Sequence, residues 1–125
     1  MAEGQARGYK VQARSTDTFG RVLCNTRNHH FIVDGPVQNG CPGEAVTPAE
    51  LFLAGIAACG VELVQALARE QQLAPQVSVE IEGALDRNNP VRRDVTVFNS
   101  VRLGFHLAGV TQAQGNDLID RFKGR

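Results

Sequence analysis

The chain has 125 residues, 42% of them apolar and 21% charged, enough for one hydrophobic core without a metal or disulfide framework. Thirteen lysines and arginines balance thirteen aspartates and glutamates, which excludes a broad field that would draw in nucleic acid or an acidic membrane surface. Three cysteines, Cys24, Cys41 and Cys59, are an odd number at wide spacing and fit reduced thiols better than a secreted disulfide scaffold.

The first eight residues, Met1 to Gly8, lack the apolar run of a signal peptide, so a soluble, cytoplasmic protein with a single domain over residues 1–125 is expected. Tyr9, Val11 and Ala13 alternate with polar neighbours. A turn at Ser15-Thr16-Asp17-Thr18 then leads into Arg21-Val22-Leu23-Cys24 and His30-Phe31-Ile32-Val33, which together read as an antiparallel meander. Between Asp34 and Val46 the residues Gly35, Pro36, Gly40, Pro42 and Gly43 predict a long loop. Thr47-Pro48-Ala49-Glu50 is a capping box with proline at the first helical position, opening a helix expected to run from about Pro48 to Gln72, before Pro75.

The first half of that helix is apolar on every side, which predicts burial by its own sheet and a second subunit. Its apolar run, Leu51 to Val61, is too short to span a bilayer before Glu62 interrupts it. Val77 to Glu82 and Val101 to Leu107 alternate as half-buried strands. Asn88-Asn89-Pro90 marks a turn between them, with Val95 to Phe98 expected to be extended already. Thr111-Gln112-Ala113-Gln114 repeats the capping box, and Leu118, Ile119 and Phe122 form the stripe of a short amphipathic helix ending near Gly124. The fold class is α+β, with antiparallel sheets around a long buried central helix and a second amphipathic helix near the C-terminus.

Cys59 stands twelve residues beyond the Thr47 cap, about three turns into its helix at roughly 3.6 residues per turn. That is too deep for the helix dipole alone to activate a thiol. From the residues alone, a cysteine among Ala57, Ala58 and Gly60 reads first as a small packing group. A reactive Cys59 requires a cation from elsewhere, for which Arg14, Arg21 and Arg27 are the candidates. Cys24 shares a strand phase with Val22 and is expected in the core; Cys41 lies in the loop. His29 and His30 point to opposite faces and no second ligand pair follows, so no metal is expected. His106 falls on the polar phase of its strand, and Arg92-Arg93 reads as a solvated corner.

The segment Phe31-Ile32-Val33-Asp34-Gly35-Pro36, the glycine-rich loop after it, and the run from Thr47-Pro48-Ala49-Glu50-Leu51 to Ala57-Ala58-Cys59 resemble the OsmC/Ohr family of osmotically induced and organic-hydroperoxide-reducing proteins. The resemblance covers most of the chain. It implies an intertwined homodimer with its sites at the subunit interface. It also implies cysteine-based reduction of organic hydroperoxides in oxidative-stress defence, with an external thiol as reductant and no cofactor. Cys59 matches the peroxidatic position, Arg14 or Arg21 would supply the activating cation, and the sulfenic acid formed would be resolved by a second cysteine.

Two departures bear on turnover. The family's resolving cysteine follows the later helix in a Cys-Pro context, whereas this sequence ends at Phe122-Lys123-Gly124-Arg125, where that segment and a closing strand are expected. Cys41 is an alternative resolver. The catalytic glutamate of the family's peroxidases falls on Ala49 here, with Glu50 one place later as a candidate acid. The alternative is a non-catalytic dimer of this fold with a ligand pocket at its interface.

Overall fold

The structure, a computed structural model, describes residues 6–124. The elements run β1 (Gln12–Ser15), β2 (Arg21–Thr26), β3 (His29–Asp34), a three-residue 3-10 turn (Val37–Asn39), α1 (Pro48–Glu70), β4 (Gln76–Ala84), β5 (Ser100–Ala108) and α2 (Gln112–Lys123). They fall into two compact units divided between Leu51 and Phe52, inside α1.

In the first unit β1, β2 and β3 form an antiparallel sheet in that order. Tyr9 and Val11 precede β1 and are exposed, so the alternation begun at Tyr9 enters the sheet only with Ala13. The register pairs Val22 with Val33 and Cys24 with Phe31. Because residues directly opposite share a face, these four side chains point one way, and Cys24 and Val33 are buried, as expected for Cys24. Arg14 pairs with Leu23 and Arg21 with Asp34. Strand alternation therefore puts both arginines on the opposite face from Cys24. Arg27 closes the β2–β3 hairpin in the left-handed region, at φ 50°.

The start of α1 is made by the capping box read from the sequence. Glu50 N donates to Thr47 Oγ1 (3.4 Å), and Thr47 N donates back to Glu50 Oε1 (3.0 Å). Its end comes at Glu70, two residues before the sequence suggests. Leu73 N bonds Ala68 O (2.9 Å) and Gln72 N bonds Arg69 O (3.0 Å), the paired closure of a Schellman motif. That motif places Gln72 at φ 60°, so the chain leaves the helix before Pro75.

The second unit holds the rest of α1, the β4–β5 sheet and α2. Its core is Val64, Leu67 and Ala68 of α1 against Leu118 of α2, flanked by Val77, Phe105, Leu107, Ile119 and Phe122. Gly60 allows the Phe105 ring to reach the helix, since a Cβ there would lie 3.2 Å from Phe105 Cζ. Val95 to Phe98 is not a strand; β5 begins at Ser100. Asn99 organises the connection, accepting from Asp86 N (2.7 Å) and donating to Asn89 O (2.7 Å). The Thr111–Gln114 capping box of α2 is complete, and Gly124 caps its end.

All-round burial of α1 is not observed. Only Gly60, Val64, Leu67 and Ala68 are buried along the helix, while Phe52 is 58% exposed and Cys59 is exposed. The apolar pattern reports a surface that needs covering, and this chain covers only one stripe of it. Nor is the segment short: α1 is long and apolar enough, by length and composition alone, to cross a bilayer, because Glu62 does not interrupt the helix.

Candidate active site

Cys59 lies on the open side of α1. It lines a shallow, mostly apolar depression of about 570 Å³ with Phe52, Ile56, Leu63 and, from the last turn of α2, Phe122 and Lys123. Helical spacing explains the α1 members, since Phe52, Ile56, Cys59 and Leu63 follow one another at intervals of three or four residues. Phe52 is braced by Phe98, whose ring stacks on it at 5.6 Å and 15°. A second depression, of about 630 Å³, lies between the β4–β5 sheet and α2 and includes Ser78, His106 and Thr111; it contains no thiol. Of these two depressions, the groove on α1 is the one that contains a thiol.

The remaining candidates lie in the first unit. Arg14 and Arg21 share one sheet face, on either side of Leu23, but their surroundings differ. Arg21 donates from Nε to Asp34 Oδ1 (2.9 Å) and from Nη2 to Asp34 Oδ2 (2.9 Å) and Glu44 Oε1 (2.8 Å). Asp34 is fully buried, and its carboxylate also accepts from Glu44 N and Ala45 N. These bonds, the one from Arg21 first, hold the Asp34 carboxyl well below the usual carboxylate range, and Asp34 and Glu44 in turn raise the basicity of Arg21. Arg14 is exposed on β1 and takes part in no ion pair among the described residues.

Glu50 is the cap of α1. Its carboxylate accepts from Thr47 N and from the Thr47 hydroxyl (2.9 Å). The Thr47 amide, then its hydroxyl, lowers the Glu50 pKa. Cys41 is half-buried, with its sulfur seated on two glycines: a Cβ built on Gly20 or Gly35 would fall 2.5 or 2.4 Å from Cys41 Sγ. Sequence reading missed the Asp34–Arg21–Glu44 cluster, because its members join only through the β2–β3 register and a loop return. It also missed Lys123, whose only sequence mark is a basic residue in the last turn of α2.

The family model describing OsmC-like proteins matches residues 41–125. The chain belongs to the OsmC-like family. Its fold is likewise that of solved OsmC-like structures. An OsmC-like protein from Mycoplasma pneumoniae aligns with a TM-score of 0.81 at 14% identity, over 97% of this chain and 84% of that one. An organic hydroperoxide resistance protein OsmC from Legionella pneumophila aligns at 0.72 and 23% identity, over 96% and 85%. One from Elizabethkingia anophelis with crystallant-derived thiocyanate bound aligns at 0.70 and 19%, over 97% and 84%. No curated protein matches the sequence. At these identities the structural likeness establishes the OsmC-like α+β fold, with antiparallel sheets, one long helix and a C-terminal helix.

Proposed function

We propose that this OsmC-like protein reduces organic hydroperoxides through Cys59. The observation that carries the reading is the position of that thiol, exposed in an apolar groove on the helix that follows the Thr47 capping box. An apolar groove suits the organic part of an alkyl hydroperoxide, and an accessible thiolate suits attack on its oxygen. The Cys59 thiolate attacks the distal peroxide oxygen, an S–O bond forms, the O–O bond breaks, and the alkoxide leaves as alcohol after taking a proton. Cys59 becomes a sulfenic acid. An external thiol then condenses with it, releasing water and leaving a mixed disulfide that a second thiol reduces. No cofactor enters the cycle.

Arg14 or Arg21 supplies the cation that stabilises the thiolate. Two carboxylates already engage Arg21, which favours Arg14 for this role. Glu50, with its bonds directed to Thr47, acts as a helix cap. The open apolar side of α1 suits a homodimer with the site at the subunit interface. We read residues 1–125 as one OsmC-like domain in a soluble, cytoplasmic protein.

The test is to mix reduced protein with cumene hydroperoxide, trap sulfenic acid with dimedone and read each cysteine by mass spectrometry. The reading expects trapping at Cys59, faster than oxidation of free cysteine and abolished by Cys59→Ser. A rate equal to that of free cysteine would sink it and favour a non-catalytic dimer with an interface pocket, a reading to which Ala49 at the usual acid position lends support. A concentration-independent monomer in analytical ultracentrifugation would refute the dimer.

A further inference from the structure

Residues 36–46 return to the sheet through a small set of bonds that converge on one side chain. Asp34 Oδ2 accepts from Glu44 N (3.0 Å) and Ala45 N (2.9 Å), and Asp34 N donates to Val46 O (3.1 Å). The Glu44 carboxylate reaches Arg21 Nη2, which Asp34 itself orients. Of the other bonds of this stretch, Gly40 N to Val37 O (2.9 Å) and Cys41 N to Pro36 O (3.3 Å) are internal to it, and Gly43 N donates to Gly35 O (3.1 Å), just before it. Gly40 and Gly43, at φ 79° and 62°, adopt backbone conformations that favour glycine. The segment is thus a small self-bonded body, tied to the strands mainly at its C-terminal end.

The burial of the two carboxylates around Arg21 is unequal. The Asp34 side chain is 0% exposed and that of Glu44 78%. Asp34 takes the side-on edge of the guanidinium, Nε and Nη2, and holds it as a fixed socket. Glu44 has one exposed bond to the remaining Nη2 proton, and exposed ion pairs exchange readily with water and salt.

We propose that residues 36–46 form a strap that opens as a unit, with Asp34 as its latch and Glu44 as the first contact to release. Opening frees the end-on edge of Arg21 for an incoming anion while Asp34 keeps the guanidinium in place, and it lifts Cys41 off its seat on Gly20 and Gly35. The device stands on geometry within the first unit and does not depend on the redox reading of Cys59.

Cys41 is a suitable reporter because its sulfur touches glycines rather than Asp34, so its protection responds to strap opening and not directly to a change at the latch. Asp34→Asn keeps the shape but places an amide donor where Arg21, Glu44 and Ala45 all present donors. The experiment alkylates native protein with N-ethylmaleimide and follows Cys41 and Cys24 separately by mass spectrometry. Cys24 is buried in the same unit, and its rate reports unfolding of the sheet. In Asp34→Asn, Cys41 should react roughly tenfold faster or more, given the usual strength of hydrogen bonds to a charged group, while Cys24 keeps its wild-type rate. Glu44→Ala, which leaves the buried pair intact, should accelerate Cys41 by up to roughly fivefold and carries the test if Asp34→Asn does not fold. Parallel acceleration of Cys24, or an unchanged Cys41 rate in a folded variant, overturns the latch.

Discussion

Gly60→Ala sets helix propensity against packing at a single atom. In an exposed helix interior the change would add about 1 kcal/mol of stability. At this site the new methyl would lie 3.2 Å from Phe105 Cζ and 3.4 Å from Cε1, so the ring must withdraw by a few tenths of an ångström. It has little freedom to do so: Phe122 meets it edge-on at 5.1 Å and 63°, and it borders the Val64, Leu67, Ala68 and Leu118 core. Overpacking of this kind costs about 1 to 3 kcal/mol, which outweighs the propensity gain and leaves Gly60→Ala about 1 kcal/mol less stable than wild type. Phe105→Leu removes the obstructing ring edge. In that background Gly60→Ala should turn stabilising by up to about 1 kcal/mol, a coupling of about 2 kcal/mol between contacting sites. Urea denaturation followed by far-UV circular dichroism on the four proteins of the cycle measures each term. If Gly60→Ala stabilises the wild-type background as much as it does Phe105→Leu, the close contact carries no energy and the reasoning fails.

The left-handed Gln72 at the end of α1 predicts that Gln72→Gly raises stability by up to about 1 kcal/mol, read as a higher urea midpoint; a lower midpoint would count against the Schellman closure. Thr47→Ala should cost about 1 kcal/mol through loss of the N-cap, whereas Glu50→Gln, whose amide oxygen still accepts from Thr47 N, should change the thermal midpoint little. A large loss of peroxide reduction in a stable Glu50→Gln protein would instead assign Glu50 to catalysis. Asp34, Glu50 and Asp117 all have lowered pKa values, owing chiefly to Arg21, the Thr47 amide and Gln71 respectively. The folded state therefore binds fewer protons than the unfolded one at acid pH. The stability these groups contribute is present above the usual carboxylate values of about 4 and is lost as pH falls through the lower folded values. Urea midpoints should stay level from neutral pH down to about 5 and drop below about 4, with a shallower drop in Asp34→Asn; a level midpoint at pH 3 would refute the assignment.

The elements with local signals were legible in the sequence. Thr47 with Glu50 and Thr111 with Gln114 announce two helix starts because a capping box is complete within four residues, and the Val77 and Val101 strands alternate without interruption. The placement of Cys59 was legible only in part. An apolar helix demands cover, which the sequence assigns to its own sheet and a second subunit; within this chain one stripe of α1 is covered and Cys59 is exposed. The Asp34–Arg21–Glu44 cluster was invisible because partners thirteen and twenty-three residues apart meet only once the β2–β3 register is set. The Schellman end of α1 was missed because a left-handed glutamine carries no compositional mark.

The alternation of β2 sorts thiol from cation. Cys24 points to the side of Phe31, Val22 and Val33, while Arg14, Arg21 and Asp34 occupy the reverse. A slip of one residue in the strand would turn every side chain of β2 over, bringing Cys24 to the face of the Arg14 guanidinium, the kind of surroundings that make a thiol reactive, while Arg21, on the same strand, would turn to the other face. Correct pairing in the first sheet thus keeps Cys24 buried and turned away from the cations of the reverse face, while Cys59 stays exposed on α1.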